Sequence, residues 1–134
     1  MVKLFIDGGC SGNGQRDLSK RKMVSVVSDH LGNVIIEEES VGGSNNIAEF
    51  IALKRSLEHA VHSQLKEVEI ITDSRNNIAW FKGKKIGKKV NDFERTNKIK
   101  SEIDILKQKL NVNIVWKPRE ENLAGHYIES RYSL

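Results

Sequence analysis

Three strand-like stretches precede the first helix-like one, and each later strand is reached through a helix; no other feature of the 134 residues constrains the fold as much. Residues 2–7 (VKLFID) read as a first strand that ends in the glycine-rich turn of residues 8–14. Residues 23–29 alternate apolar with small or polar side chains, and residues 34–41 do so more loosely after a turn at residues 30–33, so the three form an antiparallel meander. From residue 46 to about 62, Phe50, Leu53, Leu57, Ala60 and Val61 step by three and four, which places them on one face of a helix. Asn45 or Asn46 is its predicted N-cap.

Residues 68–72 (VEIIT) are a short β-branched strand, and Asp73 or Ser74 can cap the helix that follows through Ile78 and Phe81. Residues 82–91 interrupt the pattern. A second long helix is predicted over residues 92–110, where Ile99, Ile103, Leu106 and Leu110 recur, and residues 113–117 (NIVWK) form a last strand ended by Pro118. Asn122 opens a terminal helix to about Tyr132. The order β-β-β-α-β-α-α-β-α predicts an α/β protein: a mixed five-stranded sheet, a meander plus two crossover strands, with helices on both faces. The length suits one domain, residues 1–134.

Apolar residues make up 38% and charged residues 30%, with one Pro, which excludes a disordered chain. No run approaches the roughly 18 apolar residues of a membrane span, and residues 1–7 lack a basic region followed by an apolar one, so a cytoplasmic protein with no membrane role is expected. The lone Cys10 has no partner for a disulfide, zinc knuckle or redox pair, which suits a reducing compartment. No dimerisation signal is present, and a monomer is expected. The net charge of +4 is local: Lys82, Lys84, Lys85, Lys88 and Lys89 share one acid-free segment, and the remainder is close to neutral.

Three carboxylates stand at special places. Asp7 ends the first predicted strand, Asp73 follows the fourth, and Glu49 lies in the first turn of the first helix. If strands one and four are neighbours, their ends bring the aspartates together, and a helix packed on the sheet can aim Glu49 at the same point. Clustered carboxylates repel unless cations sit among them, and hard divalent ions with oxygen ligands resolve that repulsion.

These residues resemble the type 1 ribonuclease H family over almost the whole chain. Residues 7–14 (DGGCSGNG) are similar to its first-strand motif, residues 44–49 (SNNIAE) to its Thr/Ser-Asn-Asn-x-x-Glu motif, residues 71–74 (ITDS) to its third, and residues 116–122 (WKPREEN) to the lead into its last. The resemblance implies a ribonuclease H-like fold and a catalytic domain that cuts the RNA strand of an RNA/DNA hybrid, leaving 5′-phosphate and 3′-hydroxyl ends. It implies two ions, Mg²⁺ or Mn²⁺, with Asp7 bridging both, Glu49 beside the leaving-group ion and Asp73 sharing in their hold. Gly9, Cys10, Ser11 and Asn13, with Asn45 and Asn46, are the implied contacts to the RNA strand, where backbone groups and amides can reach a 2′-hydroxyl.

One position departs from the family pattern, which places a fourth Asp four residues after Asn122; here it is His126. Imidazole can bind a divalent ion and move a proton, but adds no negative charge and suits Mn²⁺ better than Mg²⁺. His126 is therefore a catalytic and metal-ligand candidate, and Glu129, three residues on, is a candidate for the missing oxygen. The lysine run is expected to grip the DNA strand, with Ser74 and Arg75 near the site as further nucleic-acid contacts. The competing reading is a non-catalytic nucleic-acid-binding protein of the same fold, in which His126 marks loss of the metal site.

Overall fold

The computed structural model describes residues 1–11, 16–90 and 92–132. Its elements are β1 (Val2–Ser11), β2 (Lys22–Ser28), β3 (Val34–Val41), α1 (Asn45–His62), β4 (Glu67–Thr72), α2 (Arg75–Phe81), α3 (Phe93–Leu106), β5 (Asn111–Trp116) and α4 (Leu123–Arg131), with 3-10 turns at Leu18–Lys20 and Arg119–Glu121. The sheet order is β3-β2-β1-β4-β5. β1, β2 and β3 pair antiparallel, and β4 and β5 join parallel through helical crossovers, so the mixed five-stranded sheet is as the patterning predicts. The β2–β3 turn is held by Asp29, whose Oδ1 accepts from the Leu31 and Asn33 amides, while Gly32 takes a positive φ of 83°.

Strand alternation sorts the two cores. Leu4, Ile6, Cys10 and Val27 face one side with Phe50, Leu53 and Leu57 of α1 and Ile99 and Ile103 of α3. Val24, Val26 and Phe5 face the other with Ala124 and Ile128 of α4. Trp80 and Phe81 are core residues, the Trp80 ring meeting Phe50 edge to face at 5.2 Å.

Several local expectations are corrected. β1 does not end at Asp7 but runs to Ser11, with Gly8 and Gly9 extended and paired to Ser25 and Val24. Gly8 is needed for packing here: a Cβ on it would lie 2.3 Å from the Ala48 carbonyl carbon and the Glu49 nitrogen. The backbone of α1 thus rests directly on β1, and Ser25 Oγ, beside Gly8, donates to the Ala48 carbonyl at 2.7 Å. Ser44, rather than Asn45 or Asn46, caps α1, its side chain accepting from the Ile47 amide. Glu49 consequently lies in the second turn. α3 stops at Leu106, and Leu110 reaches the core from the turn beyond it. Of the two residues offered as the α2 cap, Ser74 rather than Asp73 serves, and Asn122 caps α4 as expected.

Candidate active site

The site forms because β1 outruns its parallel neighbour. β4 pairs with β1 only over Val2–Phe5 and ends at Thr72, so from Ile6 onward β1 has a strand on one side alone. Into that notch Asn122 sends its Nδ2, which donates to the Ile6 carbonyl at 2.9 Å. Its Oδ1 accepts from the Ala124 and Gly125 amides, so one buried side chain both caps α4 and stands in for the missing strand. Asp7 follows on β1, Asp73 follows the end of β4, and Glu49 descends from α1 over Gly8.

Atoms of Asp7, Glu49 and Asp73 lie within 4.8 Å of one another, the group of potential ligands found among the described residues. Asp7 is wholly buried, both its oxygens lack hydrogen-bond partners, and so does Asp73 Oδ2. Burial, then the charge of Asp73, pushes the Asp7 carboxyl up to about 7 against the pull of Arg119. Burial followed by the charges of Asp7 and Asp73 raises Glu49 well above the usual carboxylate range, with the Ser74 hydroxyl opposing. Burial also raises Asp73, which Arg119 and Asn122 draw back. An all-oxygen set with orphaned buried acceptors and mutually raised acids fits hard divalent cations.

Arg119 was not singled out from the sequence, yet it sits in this pocket. Its Nη1 lies 3.8 Å from Asp7 Oδ2 and 4.0 Å from Asp73 Oδ2, while its Nε donates to Glu129 Oε1 at 2.5 Å. The available signal was its place after Pro118, where the chain leaves β5 and turns across the sheet edge. Glu129 is thus engaged by Arg119 and is not a member of the carboxylate group. His126 is exposed and also outside that group; the α4 residue against Asp7 is Gly125, where a Cβ would lie 3.0 Å from Oδ2. One helical position advances the side chain by about 100°, so His126 leaves the helix in another direction.

Of the candidate nucleic-acid contacts, Gly9 and Cys10 are buried within β1, with Cys10 in the core, so they can offer a ligand only backbone. Ser11 is half-buried, and Asn13 lies outside the described residues. Asn45 is exposed and Asn46 partly so, at the N-terminal end of the helix that carries Glu49. Ser74 is buried against the site and Arg75 is exposed. Lys82, Lys84, Lys85, Lys88 and Lys89 are all exposed, on a segment pinned by buried Ile86.

A three-strand meander extended by two parallel strands, with buried acids meeting where the parallel pair ends, defines a class of α/β proteins whose site suits divalent cations. The RNase H family model matches residues 1–123, and the chain belongs to the RNase H family. It is similar in structure to the N-terminal RNase H domain of a Mycobacterium tuberculosis protein, with 24% identity over 96% of this chain and 94% of that one, and a TM-score of 0.68. RNase H1 of the halophilic archaeon Halobacterium salinarum is 19% identical over 94% of this chain and 92% of its own, with a TM-score of 0.66. LC11-RNase H1, solved in complex with an RNA/DNA hybrid, is 26% identical over 91% of this chain and 88% of its own, with a TM-score of 0.65. A search of curated proteins by sequence returns no match.

Proposed function

We propose that the protein is a type 1 ribonuclease H, an endonuclease that hydrolyses the RNA strand of RNA/DNA hybrids and leaves 5′-phosphate and 3′-hydroxyl ends. The observation that carries this reading is the convergence of three carboxylates, two buried and one half-buried, in which both Asp7 oxygens and Asp73 Oδ2 lack a hydrogen-bond donor. Asp7, Glu49 and Asp73 are the residues that would hold the ions, Mg²⁺ or Mn²⁺. Two such ions, when bound, supply activation of the attacking water and stabilisation of the leaving 3′ oxygen.

The remaining roles belong to the chain itself. Asn122 keeps the floor of the pocket closed through Ile6, and Ser74 steadies Glu49. Arg119 offsets part of the acid charge and can turn a guanidinium edge toward the scissile phosphate. Asn45, Asn46, Ser11, Asn13 and the backbone of Gly9 and Cys10 contact the RNA strand. The five lysines, beginning one α2 length (about 10 Å) from the site, hold the DNA strand. His126, exposed on α4 one residue after the Gly125 that abuts Asp7, would move protons only at the solvent margin of the site. Residues 1–134 form the catalytic domain, acting as a monomer in the cytoplasm.

Two observations favour a second reading, a non-catalytic hybrid-binding protein: a histidine outside the ligand group stands where the family has its fourth acid, and a guanidinium already sits beside two of the three carboxylates. Incubation with a labelled RNA/DNA hybrid in Mg²⁺ and in Mn²⁺, beside an Asp73→Asn control, separates them. Cleavage abolished in the control supports the enzyme; binding without cleavage in either metal supports the second reading.

A further inference from the structure

Outside the carboxylate cluster, one arrangement joins the site to the protein surface. Trp116, the last residue of β5, is 38% exposed. Its Nε1 donates to the backbone carbonyl of Asp73 at 3.1 Å. The Arg75 guanidinium lies over its ring, 4.1 Å from the centroid. Arg75 is exposed, only two residues after Asp73, and makes no ion pair among the described residues. Arg119, by contrast, is held by three carboxylates.

We propose that Trp116 and Arg75 form a preset anion clamp that takes a backbone phosphate flanking the scissile one, and that Trp116 is also a positioning residue for Asp73. The clamp rests on the nucleic-acid reading above. A free Arg beside three acids would be drawn among them. The electron-rich face of the indole offers an alternative seat that leaves the guanidinium edges open to a phosphate. Holding the long side chain before the ligand arrives lowers the entropy lost on binding. The same ring, through its N–H, tethers the loop from which Asp73 projects, so one side chain links the grip on substrate to the geometry of the acid. An indole is required for both tasks together: Phe keeps the face and loses the N–H, and Leu loses both.

The test measures binding of a labelled RNA/DNA hybrid by fluorescence anisotropy without divalent ions over a salt series, and cleavage in Mn²⁺ or Mg²⁺. Arg75→Gln is expected to weaken binding about threefold to tenfold and to lower the salt slope by about one. Trp116→Leu, which changes no charge, is expected to weaken binding comparably. The double variant should lose little more than either single one, because the two side chains act as a unit. Trp116→Phe should restore the binding lost in Trp116→Leu while kcat stays reduced, since the Asp73 tether is gone. Circular dichroism on each variant separates these effects from misfolding. Unchanged affinity and salt slope in Arg75→Gln, or fully additive losses, would overturn the clamp while leaving the ribonuclease reading intact. Wild-type protein that binds no hybrid would remove both, and full kcat in Trp116→Phe would remove the positioning role.

Discussion

Asp7 shows what a residue's surroundings do to an acid. Its side chain is buried, without a hydrogen-bond partner and close to two other carboxylates, so its carboxyl is pushed up to about 7 from the usual 3.8 despite Arg119. An acid raised in the folded state keeps its proton over a range where the unfolded chain has released it. The metal-free fold is therefore expected to be favoured at the low end of that window, about pH 4, and to lose stability as pH rises toward 7, with Glu49 and Asp73 acting in the same direction. Glu37 and Glu38, lowered by Tyr127 and Arg55 respectively, oppose the trend at its acid end. Thermal unfolding in EDTA should give a lower Tm at pH 8 than at pH 5. Asp7→Asn should raise stability at pH 8 by about 1–3 kcal/mol and flatten the profile. Mg²⁺ or Mn²⁺ should stabilise the wild type more at pH 8 than at pH 5; a metal response equal at both would contradict carboxylate ligation. Arg119→Gln removes a charge that draws Asp7 and Asp73 down, so the loss of metal-free stability should become larger and extend to higher pH.

At the scale of elements, two contacts decide whether the acids meet. The first is the seat of α1 on β1. Gly8→Ala forces a methyl into the space of Ala48 and Glu49 backbone, which cannot yield as a side-chain tip would. The cost is expected at about 2–4 kcal/mol by chemical denaturation, with loss of any activity beyond what instability explains, because the helix carrying Glu49 must lift. The second contact is Asn122. Replacing it by Ala removes the α4 cap and orphans the Ile6 carbonyl, at an expected cost of about 2–4 kcal/mol. Hydrogen exchange should then accelerate in α4 ahead of the central strands. Exchange rising equally through the sheet would show that α4 is not the element Asn122 holds.

Across the whole molecule, positive charge is gathered on one exposed segment after α2 while negative charge is buried in the pocket at the other end of that helix. Replacing Lys82, Lys84, Lys85, Lys88 and Lys89 by Gln should weaken hybrid binding and flatten its dependence on salt, with little change in folding stability because these side chains are exposed. An unchanged salt slope would remove the segment from the interface.

The local grammar of the chain was legible in its residues. Helical spacing at Phe50, Leu53 and Leu57, β-branched runs, and caps at Ser74 and Asn122 follow from backbone and side-chain chemistry within a few residues, so element order and the three acids could be read directly. Gly8 misled, because a residue without a Cβ serves a turn and a close helix contact equally well, and only the partner 40 residues away tells which. Arg119 in the pocket, His126 outside the ligand group, and the notch left where β4 stops short of β1 depend on strand register and on hydrogen bonds such as Asn122 to Ile6, which spans 116 residues. Periodicity carries no information about such pairings. The sequence alone determined which groups were available; the tertiary structure decided which of them meet, because convergence is set by contacts between segments rather than by the order within them.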